Sequence, residues 1–262
     1  MKKILIKVLS ILAFFGFNPV TLFKNVSGLR YYIKTLLKLL EQRRSFTRSD
    51  HVLFCPILGD RFSEAGNING HYFIQDLYIA QRIYSANPLQ HLDIGSRIDG
   101  FVAHIATFRE IHIVDIRPQS NEIKNVIYRQ LDIMNVENSN LEHYDSVSCL
   151  HALEHFGLGR YNDPIDYLGY EKAIVNISKI LTPKGKFYLS VPIGKPRIEF
   201  NAHRVFSVKS LISILNKYFR LERFSYIDDK STFYENVFLT SQDINSKFEF
   251  NFGCGIFEMT KE

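Results

Sequence analysis

From Gln90 onward, short apolar runs alternate with segments in which apolar residues recur every three or four positions. Strand patterns fall at 90–94 (QHLDI), 110–116 (EIHIVDI), 126–131 (VIYRQL), 145–150 (DSVSCL) and 186–191 (KFYLSV). Helical spacing falls at 99–108, 170–181 and 207–218, the last opened by Ser207 as a cap. A further helical pattern, His71 to Ser85, follows a loop containing Pro56, Gly59, Gly66 and Gly70. Alternation of this kind predicts an α/β domain, its mainly parallel sheet covered on both faces. Two late strands, near 220–227 and 254–260, flank an aromatic and polar insertion with the composition of a lid.

Ahead of this region the pattern changes. Residues 4–17 form an apolar run behind Lys2 and Lys3, similar to the start of a secretory signal, but Asn18 and Pro19 follow where a cleavage site needs small residues. The run contains Lys7 and falls short of the roughly 20 apolar residues of a spanning helix. A second segment sets Leu29, Tyr32, Ile33, Leu36, Leu37 and Leu40 at helical spacing, with Arg30, Lys34 and Lys38 along one flank. Two readings stay open for these basic amphipathic helices: peripheral attachment to an anionic membrane surface, or packing on the main domain with a solvated basic edge. The polar junction from Arg43 to Asp50 sets the expected division, residues 1–50 against an α/β domain over 51–262.

Charge is uneven in the same sense. Residues 1–50 hold ten Lys or Arg against two acids, +8, which leaves −3 for the rest of a chain of net charge +5. A basic front on a mildly acidic body argues against a nucleic-acid partner, which would need basic residues spread over the folded surface. Apolar residues at 46% and charged residues at 23% exclude disorder. Cys55, Cys149 and Cys254 are odd in number and far apart, which suggests neither a disulfide framework nor a paired-thiol metal site. The expected location is cytoplasmic, on the inner membrane face if the helices attach.

The chemistry gathers where strands are expected to end. The first strand runs into LDIGSRIDG, so that Asp93, Gly95, Ser96, Arg97 and Gly100 lead into a helix whose free amides can face a ligand. Gly95 and Gly100 have the spacing of the outer glycines of a P-loop, but Phe101 and Val102 stand where Lys and Ser or Thr are required. The GxGxxG arrangement of NAD sites is also absent. Asp115 closes the second strand, where an acid can accept from both hydroxyls of a ribose, and Asp132 follows the third, where it can accept from an adenine amino group.

The succession LDIGSRIDG, VDIRP, LDI and DSVSCLHALEH resembles class I S-adenosylmethionine (SAM) dependent methyltransferases. The segments GHYFIQDLYIA, HALEHFGLGRYNDPID, VPIGKP and FNAHRVFS are similar to a family of methyltransferase-like proteins catalogued as a domain of unknown function, over nearly the whole chain. The resemblance implies a Rossmann-like, mostly parallel seven-stranded sheet with SAM over its carboxyl edge. The residues expected to hold it are Asp93, Gly95, Ser96, Arg97, Gly100, Asp115, Asp132 and Leu150. It also implies a small-molecule or glycan acceptor, in the setting of cell-surface glycan synthesis. The class has glycines two and four residues beyond Gly95, and this chain has Arg97 and Asp99. Arg97 therefore either obstructs the methionine part of SAM or binds its carboxylate.

HALEH, residues 151–155, matches the inverted zinc motif of metallopeptidases, which needs a helix with both histidines on one face. Here it directly follows an apolar strand, Gly157 and Gly159 leave little helix beyond it, and none of Glu199, Glu222 and Glu235 stands out as a third ligand. No metal is expected at this pair. The resemblance sets the stretch beside the methionine end of the cofactor, which makes His155, then His151 and His203, candidate general bases. Each also has a plain packing reading, His203 most of all. Arg204 is a candidate clamp for a phosphate or carboxylate; Asp163 either orients a histidine or makes an Asp-Pro turn. Two functions stay open: a SAM-dependent methyltransferase acting on a glycan or its lipid-linked precursor, and a non-catalytic methyltransferase-like binding or scaffold protein in glycan biosynthesis.

Overall fold

The computed structural model describes residues 16–43, 52–63, 65–66, 68, 70–136, 141, 143–240, 243 and 248–262. The apolar run 4–17 and the junction from Arg43 to Asp50 lie almost wholly outside the described residues. The chain divides into two compact units, Met1–Asn67 and Ile68–Glu262.

In the first unit, α1 (Pro19–Arg43) runs unbroken. Asn18 Oδ1 accepts from the Thr21 backbone N–H at 3.2 Å, and Pro19 takes the first helical position, where a missing N–H costs no hydrogen bond. Tyr32, Leu36 and Leu40 are partly covered, whereas Leu22, Val26, Leu29, Ile33 and Leu37 form an exposed apolar stripe at helical spacing. Among the described residues no helix is long and apolar enough to cross a membrane.

The second unit is built on one sheet. Its strands are β1 (His91–Ile94), β2 (Ile111–Asp115), β3 (Val126–Gln130), β4 (Tyr144–Leu150), β5 (Leu181–Ile193), β8 (Phe219–Ile227), β9 (Phe233–Tyr234) and β10 (Gly253–Lys261). They stand in the order β3-β2-β1-β4-β5-β10-β8-β9. Pairings from β3 through β5 are parallel; β10 is antiparallel to both β5 and β8. A separate hairpin pairs β6 (Arg197–Glu199) with β7 (His203–Val205). The seven-stranded expectation is exceeded by one: β9 pairs antiparallel with β8 and covers an edge that would otherwise present unpaired backbone groups.

Helices cover both faces because each has an apolar stripe. On one face, α4 (Gly169–Ile180) buries Ala173, Ile174 and Ile177, and α5 (Val208–Leu215) buries Val208, Leu211 and Leu215, against Phe187, Leu189 and Phe257 of the sheet. Ser207 caps α5 as expected, its side chain accepting from the Ser210 N–H. On the other face, α2 (His71–Ala86) buries Ile79 and Ile83 against Ile111, Ile113 and Ile256, and ends at Asn87, whose φ of 42° makes a left-handed cap ahead of Pro88.

Two expectations are corrected. The helix over 99–108 is reduced to an irregular turn, Ile98–Val102, followed by the four-residue α3 (Ala103–Ala106), because Gly100 takes φ −126° and ψ −110°, outside the helical region. The late insertion is no lid over the cavity described below: Phe248 and Phe250 pack on Tyr226, and among its described residues none lines that cavity.

Candidate active site

The strand order reverses between β1 and β4, and a cavity of about 540 Å³ opens there at the carboxyl ends of the parallel strands. Gly95, Ser96, Arg97, Asp115, Asp132, Leu150, His151 and His155 line it, so most of the residues singled out from the sequence meet. Asp93, Gly100 and His203 lie outside its lining.

Gly95 sits at φ +73°, and a Cβ there would fall 2.9 Å from the Ala152 Cβ, so the backbone itself forms the cavity wall. Asp93 works beneath the turn. Fully buried, it accepts from the Ser96 N–H at 3.0 Å, the Ser96 hydroxyl at 2.7 Å and the Ser148 hydroxyl at 2.6 Å, and its carboxylate is consumed in shaping the loop. Burial pushes the Asp93 carboxyl up to about 7, against those donors. Gly100 shapes the same loop: a Cβ on it would meet Asp76 Oδ2 at 2.8 Å. Arg97 stands exposed at the rim, with Nε and Nη2 donating to Asp99 at 3.0 and 2.7 Å.

Asp115 closes β2 and accepts from the Arg117 backbone N–H at 2.8 Å and from Arg117 Nε at 2.9 Å; Arg117 Nη2 also pairs with its second oxygen. The Arg117 guanidinium lies over the Tyr161 ring at 4.7 Å. Asp132 Oδ1 accepts from the Met134 N–H at 2.9 Å, closing the turn after β3.

The HALEH stretch forms a single 3-10 turn, Leu153–His155, too short for the zinc-peptidase helix. His151, at φ +48°, has both ring nitrogens engaged: Nδ1 is 2.7 Å from Glu154 Oε1 and Nε2 is 3.1 Å from His71 Nδ1. Burial opposes a charge on His151, but the Glu154 carboxylate and the Cys254 sulfur together outweigh it and hold the imidazole well above its ordinary range. His155 Nδ1 is 2.6 Å from the Ala202 carbonyl, and burial lowers its pKa.

Three readings change here. Arg204 is buried and donates to the carbonyls of Phe156 at 2.6 Å and Tyr167 at 3.1 Å, so it braces the loop after HALEH rather than clamping a substrate. Asp163 accepts from the N–H groups of Gly157, Gly159 and Tyr161, which leaves it no part in orienting a histidine. His203 lies on the β6–β7 hairpin, 3.4 Å from Glu199 and against the Phe252 ring. Sequence reasoning missed two residues of α2: Tyr72, which lines the cavity, and His71, whose Nδ1 meets His151.

A parallel half-sheet, an antiparallel β10 inserted next to β5, and a glycine turn over a switch-point cavity define the Rossmann-like class I methyltransferase fold. Residues 97–253 match the family described as Caenorhabditis protein of unknown function, DUF268, and the chain belongs to that family. No curated protein matches the chain in sequence. Among solved structures it is similar to the N-methyltransferase NodS from Bradyrhizobium japonicum WM9 in complex with S-adenosyl-L-homocysteine (17% identity, 72% of this chain and 85% of that one, TM-score 0.47). It is also similar to an S-adenosylmethionine-dependent methyltransferase from Clostridium acetobutylicum ATCC 824 (11% identity, 73% and 92%, TM-score 0.49). A third is the 1,6-didemethyltoxoflavin-N1-methyltransferase from Burkholderia thailandensis (16% identity, 71% and 78%, TM-score 0.48).

The buried Asp93 leads to a stability prediction. The unfolded chain releases this proton near pH 3.9, whereas the folded protein keeps it until about pH 7. The group's favourable contribution is therefore complete below about pH 4 and is lost as pH rises towards 7. Asp93→Asn should flatten the decline of unfolding free energy over that window, read from urea midpoints at several pH values; an unchanged slope would place the titration elsewhere.

Proposed function

We propose that the protein is a SAM-dependent methyltransferase whose acceptor is a hydroxyl of a small molecule or glycan. The supporting observation is that Gly95, Asp115 and Asp132, from the carboxyl ends of three adjacent parallel strands, line one cavity. Its volume of about 540 Å³ suits a small-molecule site. The residues fit the cofactor. Gly95 and Ser96 offer backbone at a position closed to a side chain, Asp115 offers acceptors for a ribose diol once Arg117, which pairs with both its oxygens, turns aside, Asp132 for an adenine amino group, and Leu150 an apolar wall. Of the five N–H donors of Arg97, Asp99 takes two, which leaves three for the methionine carboxylate.

Bound SAM supplies a methyl group already activated by its sulfonium. The chain must then hold the acceptor and remove its proton. His155 suits that task. Donation from Nδ1 to Ala202 leaves a lone pair on Nε2, and the lowered pKa keeps the ring neutral at pH 7. His151 suits it less, because both of its nitrogens are occupied.

We also propose that α1 attaches the protein peripherally to an anionic membrane, which suits a glycan carried on a lipid precursor. The exposed stripe Leu22, Val26, Leu29, Ile33 and Leu37 runs beside Arg30, Lys34 and Lys38, the pairing of apolar area and basic flank that such surfaces bind.

Three outcomes are expected. At 100 times the dissociation constant, SAM or its demethylated product should stabilise the protein by about 2.7 kcal/mol, a melting shift of roughly 5–10 °C that Asp115→Ala abolishes; no shift with either ligand in wild type overturns the cofactor assignment. His155→Ala should lower methyl transfer at least about 100-fold while the melting shift remains, and unchanged turnover would remove it from the mechanism. Ligand binding with no turnover on any glycan acceptor favours the non-catalytic binding protein. In flotation assays at low salt, Arg30, Lys34 and Lys38 changed to Glu should reduce binding to anionic vesicles; wild-type protein that ignores such vesicles has no membrane role for α1.

A further inference from the structure

We propose that His71, His151 and Cys254 together bind one divalent transition metal ion, zinc by the chemistry of the donors. The three come from the start of α2, the end of β4 and the start of β10. His71 Nδ1 and His151 Nε2 are 3.1 Å apart, and one donor atom from each of the three residues lies within 4.8 Å of the others. Tetrahedral zinc, with Zn–N of about 2.0–2.1 Å and Zn–S of about 2.3 Å, separates two nitrogens by roughly 3.3 Å and nitrogen from sulfur by roughly 3.6 Å. The histidine pair already has that spacing. The sulfur needs only to close inward.

The surroundings are those of a ligand set. A metal-bound imidazole normally donates its second N–H to a carboxylate or a backbone carbonyl, which fixes tautomer and ring plane. His151 Nδ1 meets the Glu154 carboxylate at 2.7 Å. The His71 ring also lies nearly parallel to those of His151 and Phe252, with centroids 5.1 and 5.4 Å away.

A buried polar atom gives a second argument. Glu154 is 1% exposed, and its Oε2 is buried with no hydrogen-bond partner. Its other oxygen is met by His151 Nδ1 at 2.7 Å, so the carboxylate is already set against the imidazole that would ligate the metal. Zinc with one thiolate bears a net +1, which the Glu154 carboxylate balances. The thiol proton of Cys254 and any proton shared between the imidazoles leave to solvent as the metal enters. Three protein ligands leave the fourth tetrahedral position to water or to an acceptor oxygen. This set is not the one HALEH suggests: His155 Nδ1 is tied to Ala202, and the partners of His151 come from distant strands and helices. The inference is independent of the methyl-transfer reading and is tested without turnover.

The test uses full-length protein stripped with a chelator and then titrated with zinc by calorimetry, the bound metal being counted by elemental analysis. Cobalt(II) serves as a spectroscopic probe. One metal per chain is expected, with proton release on binding and a thiolate-to-cobalt charge-transfer band that Cys254→Ser removes. Glu154→Gln should weaken zinc about 10- to 100-fold. Cys254 and His151 are buried, so His71→Asn, at a partly exposed helix start, is the variant least exposed to misfolding; it should lose the site while keeping the wild-type apo melting temperature. Wild type that takes up no more metal than His71→Asn overturns the proposal. So does metal that survives His71→Asn and Cys254→Ser but is lost in His155→Ala, which would assign it to the sequence motif instead.

Discussion

Burying the Glu154 carboxylate is the constraint around which one wall of the cavity is arranged. At 1% exposure it has no water to solvate it, so positive charge or hydrogen-bond donors must come from the protein or from a ligand. His151 meets this need by giving up the ordinary backbone of a strand end: at φ +48° it turns from β4 and brings Nδ1 onto the carboxylate. That turn holds because the His151 N–H is bonded to the Ser190 carbonyl of the neighbouring strand at 3.0 Å. Arg204, bonded to the carbonyl of Phe156, then fixes the loop beyond it. One buried charge thus couples two strands, a hairpin and the histidines of the proposed site.

A second polar system supports the opposite wall. His91 bridges the hydroxyls of Ser146 and Ser148, and Ser148 passes the chain of hydrogen bonds to Asp93 and so to the Gly95 turn. Burial lowers His91 to about 3, so it is neutral at physiological pH and adds no charge to a fully buried region. The cavity between these systems is consequently lined by groups whose positions are set from beneath.

Much of the fold is legible in the sequence because it depends on local periodicity. The strands at 90–94, 110–116 and 126–131 are found within a residue or so of their expected ends, and β5 extends beyond its expected 186–191. The helix expected over 99–108 fails because the apolar spacing there conceals the backbone of Gly100. Site roles are less legible. An acid at the end of a strand reads the same whether it lines the cavity, as Asp115 does, or supports the turn from below, as Asp93 does; the difference lies in which serines reach it. Arg204 and Asp163 look like substrate groups until the carbonyls and N–H groups they satisfy are counted. The proximity of His71 and Cys254 to His151 has no local signature at all, since three distant segments must pack before those side chains meet.

The place of β10 has a consequence for how the chain is made. It follows every other described strand in sequence, yet it pairs between β5 and β8. During synthesis β5 and β8 emerge without the strand that will join them, each with a long row of unpaired backbone groups, until residues 253–261 leave the ribosome. The sheet therefore stays open between β5 and β8 until β10 inserts. A chain halted before residue 253 would display two unpaired edges and lack Cys254 of the core between them.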